Sequence, residues 1–346
     1  MDRRTLLATL ASSAAVAAAP FARAQDYPSQ IIKWVVPYPA GGGTDVIART
    51  LSEAMRQTLG QQIVIDNRPG ASTNIGADLV AKSKPDGYTV MSADNAVLAF
   101  NEHLFSKLPF NPEKDFTYIG AIGKFPLALV VHPDFPAKNF KEFLAYVKAN
   151  PGKVNYASPG NGSPHHLAME MFKVRTGTFI THIPYRGAAP AMADVMGGQV
   201  PCMFLDLASG LSIMQANKVR VLAIGSGARS KLLPNVPTLA EVGVPNSEVF
   251  AFQGVLGPAG LPPAVVAKLN ADLNRAFGTP AVQKRFDDFG MEPMPGTPAQ
   301  FAALSRAESH FDTKGRVTRE RAWDESGDLQ RDDEVFEDGS RKAFTQ

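Results

Sequence analysis

The sequence predicts an α/β chain built from two units of mainly parallel strands flanked by helices. Three observations carry that prediction. Short apolar runs alternate with helical periodicity in a β-α-β-α-β order, the pattern of a parallel sheet with helices on its faces. A strand that runs into a glycine-rich loop and then a helix occurs twice, at Pro39–Thr44 and at Ser158–Ser163. The 346 residues, 45% of them hydrophobic, suffice for one large domain or two ordinary ones without covalent staples.

The elements follow in order. Ile31–Val36 is an apolar, β-branched run, hence a buried strand, broken by Pro37–Gly43. Thr44 is placed to cap the next helix, whose Ile47, Leu51, Met55 and Leu59 repeat at helical spacing until Gly60 stops it. Gln62–Asp66 is a strand, Asn74–Lys82 a small-residue helix and Tyr88–Ser92 a third strand. In the second unit Leu127–His132 is a strand, Phe140–Lys148 a helix and Val154–Ala157 a strand. Pro164 opens the helix after the second loop, where a missing N–H costs nothing. Leu167, Met171 and Val174 give that helix its expected buried face. Thr181–Pro184, Val200–Leu205 and Val219–Gly225 are strands, with a helix over about Pro190–Met196. Residues 263–304 return to helix, with stripes at Val266, Leu269, Leu273 and Phe277 and at Val282, Phe286 and Phe289.

The net charge of +2 is an average over three unlike parts. Met1 to Ala24 has a charged start, an apolar run from Leu6 to Ala19 and a small-x-small end, Ala22-Arg23-Ala24. This reads as a secretory signal cleaved after about Ala24. Arg3-Arg4 suits a twin-arginine route as well as the general one. Residues 305–346 hold eight Lys/Arg and eleven Asp/Glu with no consistent apolar period, a composition that predicts disorder. The middle holds 24 basic and 21 acidic residues, no basic footprint for nucleic acid. One thiol, Cys202, excludes an internal disulfide and any multi-cysteine metal site, and is read as core.

The glycine loops carry the chemistry. The first turn of a helix presents unpaired N–H groups and a partial positive charge, and glycine lets a ligand approach closely. Each loop is a candidate anion cradle, and two in corresponding positions strengthen the reading. Neither is a nucleotide motif, since the first lacks a P-loop lysine and G-x-G-x-x-G occurs in neither. Asp45 and Arg49 are spaced to pair as a helix-surface cap. Adjacent His165 and His166 project from different faces and make no i,i+4 metal pair, so no metal or other cofactor is expected. Asp206 ends an apolar strand, as a pocket residue or as a plain strand-end turn. Tyr185-Arg186-Gly187 offers a hydroxyl and a cation near the strand ends.

These segments resemble one family. Val36 to Arg49 (VPYPAGGGTDVIAR) is similar to the signature of the Bug family, the extracytoplasmic receptors of tripartite tricarboxylate transporters. Asp66–Ala71, Pro85–Thr89, Tyr156–Ser163, Ile183–Gly187 and Asn235–Gly243 match further motifs, in family order, over about residues 27–304. The resemblance implies a two-lobed periplasmic binding protein fold, type II-like, with the ligand cleft between lobes. It divides the chain into residues 25–124 plus 253–304, residues 125–252, and the tail. It implies that both loops hold carboxylates through backbone N–H groups, hydroxyls and water. Carried over by motif, the ligand-binding positions are Ala40, Gly42 and Thr44 in the first loop and Ser158, Asn161 and Ser163 in the second. Asn95, Tyr185 and Asp206 are further wall positions, and Tyr38 stands where the family often has phenylalanine. The tail departs from the family pattern, which ends in an ordered helix and a short hydrophobic strand.

The expected function is that of a monomeric periplasmic receptor, not an enzyme, handing a small carboxylate to a membrane permease. The carboxylate classes are di- and tricarboxylates, amino acids and aromatic acids. Two competitors remain at this stage: a ligand sensor for a signalling partner, and a hydrolase using Ser163, His166 and Asp206. The hydrolase requires a base within hydrogen-bond reach of the nucleophile, and Ser163 lacks the G-x-S-x-G elbow.

Overall fold

A computed structural model describes residues 27–305 and the backbone of four short strands beyond them. The signal-like segment 1–24 lies outside the described residues.

The first lobe begins with β1 (Ile32–Val36), α1 (Gly43–Leu59), β2 (Ile63–Asn67), α2 (Asn74–Ala81) and β3 (Thr89–Asp94). Strands β2 and β3 pair in parallel on either side of β1. Ile47, Leu51, Met55 and Leu59 are buried, so α1 packs the face its spacing predicts. Trp34 is buried in β1, and its indole N–H donates to Ser92 Oγ at 2.9 Å. A five-residue π-turn (Ala96–Phe100) and the single turn α3 (Asn101–Leu104) follow β3.

β4 (Phe116–Val131) spans both lobes. Its first part pairs antiparallel with β9 (Phe250–Pro258), up to the pair Pro126↔Phe250. From Leu127 it pairs instead with β7 (Cys202–Asp206) and β8 (Arg220–Ile224). The return crossing is tied at the same level, where Leu127 N–H donates to Val249 O and Val249 N–H to Gly225 O. The chain thus changes sheet at 126/127 and at 249/250. The second lobe adds α4 (Phe140–Ala149), β5 (Asn155–Ser158), α5 (Pro164–Thr176), β6 (Thr181–Pro184), α6 (Ala188–Met196) and α7 (Leu207–Gln215). Here β5 lies parallel to both β6 and β7. Parallel pairs therefore form the outer part of each lobe, and the crossing strands β4 and β9 supply the antiparallel pairs. Leu127, Leu129 and Val131 bury one face of β4 against Phe204 and Phe143 in one apolar cluster.

α8 (Pro263–Phe277), α9 (Pro280–Phe289), β10 (Glu292–Pro293) and α10 (Pro298–Ser305) return to the first lobe. α10 is pinned by Phe301, 1% exposed, which stacks edge-on with Tyr118 at 5.2 Å. The ring lies over Gly254 of β9, where any Cβ would come within 2.0 Å of it. Only glycine fits there.

Several expectations are corrected in detail. Gly42, not Thr44, is the N-cap of α1. The buried face of α5 is His165, Ala168, Met169 and Phe172, while Val174 is exposed. The helix is apolar around more than one face, so its sequence alone allows either rotation. On α8, Leu269, Leu273 and Phe277 are buried, and Val265 rather than Val266 completes the stripe.

Where the tail's composition predicts disorder, the backbone pairs β11 (Glu308–Phe311), β12 (Val317–Trp323), β13 (Leu329–Val335) and β14 (Arg341–Ala343) into an antiparallel sheet. Its register sets Arg319 opposite Glu334 and Arg321 opposite Asp332.

Candidate functional site

The cleft between the lobes is lined from the first lobe by Tyr38, Pro39, Gly42, Gly43, Thr44, Asp94 and Gln253. The second lobe contributes Pro159, Pro164, His165, Ala188, Ala189 and Asp206. The two sides touch. A Cβ at Gly43 would lie 3.2 Å from both Asp206 Oδ1 and Ala208 Cβ, and one at Gly187 would lie 2.8 Å from Pro39 Cδ.

The first loop is held from behind. Gly41, at φ +86, turns the chain so that its N–H donates to Asp45 Oδ2 at 2.9 Å. The Asp45 carboxylate also accepts from Asn67 Nδ2 and from Arg49. Burial alone would raise Asp45, but the Arg49 and Gly41 hydrogen bonds and Asn67 together hold it below the usual carboxylate range. Asp45 is therefore spent on loop geometry, as its helix-cap spacing predicts. Gly42 offers no side chain, so the first N–H groups of α1 have no side-chain cap at the cleft. Thr44 Oγ1 accepts from Gln253 Nε2 at 2.6 Å.

Tyr38 lines the wall and donates its hydroxyl to Asp94 Oδ2 at 2.6 Å. Burial and the Asp94 charge push the Tyr38 hydroxyl well above its ordinary value, so it stays a donor. Burial likewise raises Asp94, against the opposing hydrogen bonds from Tyr38 and from the Ala96 and Val97 N–H groups. The expected loop position Ala40 is exposed and lies off the cleft wall. Asn95 is buried, and its Oδ1 accepts from Phe252 N at 3.0 Å, tying the turn after β3 to β9.

The second loop is largely satisfied within itself. Ser158 is fully buried, and its Oγ donates to Gly160 O at 3.0 Å and lies 2.6 Å from His182 Nε2. Ser163 is the N-cap of α5: its Oγ donates to Gly160 O and accepts from His166 N. His166 Nδ1 accepts from Gly162 N at 3.1 Å. Asn161 is exposed. Ser158, Asn161 and Ser163 thus lie off this wall, the two serines because a tight Gly-rich turn uses their hydroxyls to satisfy its own backbone. The loop gives the cleft Pro159, Pro164 and His165 instead.

His165 Nε2 is 2.9 Å from Asp206 Oδ2 and carries the proton between them, since a carboxylate only accepts. Asp206 is both pocket residue and helix cap, accepting from Ser209 N at 2.7 Å. Its burial would raise it, but His165 and Ser209 together hold it below the usual range. The hydrolase grouping does not form, because Asp206 engages His165 while Ser163 and His166 serve the loop.

Tyr185 stands behind the wall and donates to Asp194 Oδ2 at 2.6 Å; burial and this bond push it up to about 12. It steadies the turn at Gly187, φ +122, which opens α6 with no side-chain cap. Ala188 and Ala189 present that helix end to the cleft. Sequence reasoning missed this second uncapped N-terminus, along with Asp94, His165 and Gln253. Asp94 had a readable signal, as an acid at the end of a parallel strand. Gln253 had none, because it sits on a strand the periodicity did not reveal. Cys202 is buried in β7 with Sγ 3.3 Å from Asn155 O, and burial raises its thiol. Among the described residues, no His/Cys/Asp/Glu group suits a metal ion, and no helix is long and apolar enough to cross a membrane.

Two helix N-termini without a side-chain cap, those of α1 and α6, thus line one cleft. The family model for the tripartite tricarboxylate transporter family receptor matches residues 47–322, past residue 304 and into the tail. Protein BugT of Bordetella pertussis is 38% identical over 303 residues, 87% of this chain and 93% of BugT. The periplasmic binding protein BugD has a TM-score of 0.78 at 35% identity, over 81% of this chain and 94% of that one. MatC from Rhodopseudomonas palustris, solved with bound malate, has a TM-score of 0.78 at 32% identity, over 81% and 96%. The chain belongs to the Bug family of tripartite tricarboxylate transporter receptors.

Proposed function

We propose that this chain is a periplasmic solute receptor that captures a small carboxylate and delivers it to a tripartite tricarboxylate-type membrane transporter. One observation carries the reading: two uncapped helix N-termini, α1 from one lobe and α6 from the other, line the same cleft. Each supplies N–H donors and a partial positive charge to an anion. A ligand that bridges them is bound by both lobes at once, which shifts the open–closed population toward closed. The malate bound by the related MatC supports a carboxylate. Export through the Met1–Ala24 signal places the receptor in the periplasm; N-terminal sequencing of the exported form should begin near Gln25.

The test is a thermal-shift screen of the purified protein over mono-, di- and tricarboxylates, amino acids and aromatic acids. At least one class should raise the melting temperature by several degrees, as binding at about 100 times Kd adds about 2.7 kcal/mol. A flat response to every carboxylate defeats the proposal.

A further inference from the structure

The second glycine loop meets the first lobe as well as its own. Gly162, at φ +73, sits against α3, where a Cβ would come within 2.7 Å of Leu104 Cδ1 and 2.9 Å of Asn101 Oδ1. This is a second seam between the lobes, beside the contact of Gly43 with Asp206. The N–H of the same glycine donates to His166 Nδ1 at 3.1 Å. An imidazole nitrogen accepts only while it carries no proton, so this bond requires a neutral His166 with its proton on Nε2.

The surroundings of His166 give an imidazolium little support. Glu170 and Lys173 from α5, Tyr156 from β5 and His182 from β6 face the ring. Across the seam, α3 carries Glu102 and His103. His182 stacks on the ring at 4.2 Å, so a charge on one imidazole disfavours a charge on the other. Glu170 Oε1 lies 4.0 Å from Nε2 but already accepts from Lys173 Nζ and from the Tyr156 hydroxyl. Burial lowers His166, with Glu170 opposing and Lys173 assisting. A proton on Nδ1 would also set one N–H against another, that of Gly162. The close fit to Leu104 and Asn101 leaves Gly162 little room to shift while the lobes stay together.

Resting on the receptor reading above, we propose that His166 is a positioning residue for closure. Neutral, it holds Gly162 in the shape that fits α3; protonated, it releases the loop and favours the open form. Binding therefore weakens in acid. The same loop carries Pro159, Pro164 and His165 to the cleft wall, so a ligand need not touch His166 to feel its charge. A closed form that refuses a proton taken by the open form at about pH 6.5 loses up to about tenfold in affinity between about pH 7.5 and 5.5.

Two measurements decide this. The first needs no ligand. In the isotope-labelled full chain, the Gly162 amide resonance should move between about pH 7.5 and 4.5 along the same curve as the His166 ring protons. A Gly162 resonance that ignores the His166 titration overturns the inference, whatever becomes of the receptor reading. The second is isothermal titration at pH 7.5 and 5.5 with the carboxylic acid that gives the largest shift in the screen above. It compares the wild type with His166→Asn, whose amide oxygen stands near the Nδ1 position and accepts at either pH, and with His166→Ala, which accepts at neither. Ionisation of the acid is common to all three. The wild type should lose severalfold to tenfold more affinity than His166→Asn on the same step, and His166→Ala should be weak at both. The amide titration stands even if a variant fails to fold. Equal pH dependence in the wild type and His166→Asn overturns the inference and leaves the receptor reading intact. Binding by no acid overturns that reading, and the Gly162 titration then decides alone whether His166 holds the loop.

Discussion

At the residue scale, the site divides into side chains that face the cleft and side chains that shape it. Gly42 and Thr44 belong to a glycine-rich strand–helix loop and Asp206 ends a strand, both local signals, whereas Tyr38 was named only through the family resemblance; all four line the wall. Ser158 and Ser163 lie off this wall for a physical reason. The same hydroxyls that suit an anion also satisfy the loop's own carbonyl at Gly160, and one sequence cannot say which use wins. Ser163→Ala separates the two. As a lost N-cap it should cost about 1 kcal/mol of stability, read as a lowered urea midpoint. The Kd for the acid that gives the largest thermal shift should stay within about twofold. A tenfold loss of affinity without a stability loss would restore Ser163 to the ligand.

At the element scale, local periodicity recovered the outer strands and most helices but not the crossing strand β9 or the first part of β4. Phe250–Pro258 includes two glycines and a buried glutamine among its apolar residues, so neither a clean alternation nor an unbroken apolar run marks it. Its strand character comes from pairing with β3 and β4, which are distant in sequence. Phe301 holds α10 on this pair, and Phe301→Ala should cost about 3–5 kcal/mol, measured by urea unfolding; a loss below about 1 kcal/mol would contradict that packing. A second element-scale prediction concerns β6 and α5. His182 stacks on His166 at 4.2 Å, beside Tyr156, Glu170 and Lys173. Burial, then the charge of His166, lowers His182 to about 4, with Glu170 opposing and Lys173 assisting. Burial also lowers His166. As pH falls from about 6.5 to about 4 the unfolded chain binds protons that the native chain refuses, so stability falls across that window and levels below it. His182 is half-exposed, and solvent screening limits its share to about 1–2 kcal/mol. The depressed carboxylates Asp45 and Asp206 act in the same direction only below about pH 4. His182→Gln should therefore flatten the urea-midpoint profile between pH 6.5 and 4.5, and an unchanged slope would show that this histidine is not the cause.

At the scale of the whole molecule, the proposed function depends on how the lobes meet, and at Gly43 they meet closely without backbone strain. It opens α1 with ordinary helical geometry, so alanine keeps the backbone and is a better helix former by up to about 1 kcal/mol. The added methyl would stand 3.2 Å from Asp206 Oδ1 and from Ala208 Cβ on the opposite lobe, closer than ordinary van der Waals contact. Separating the lobes would remove that contact. Gly43→Ala should thus leave the ligand-free melting temperature unchanged or slightly higher while disfavouring closure by about 1–2 kcal/mol, an overpacking cost. Since apparent affinity scales with the fraction of closed molecules, Kd should rise about 5- to 30-fold. The methyl also borders the cleft, so small-angle scattering at saturating ligand separates obstruction of closure from a clash with the ligand. The wild-type protein should contract on binding, and Gly43→Ala should stay larger at equal occupancy. Equal affinity and equal contraction in the two proteins would mean that the lobes close without bringing α1 against Asp206.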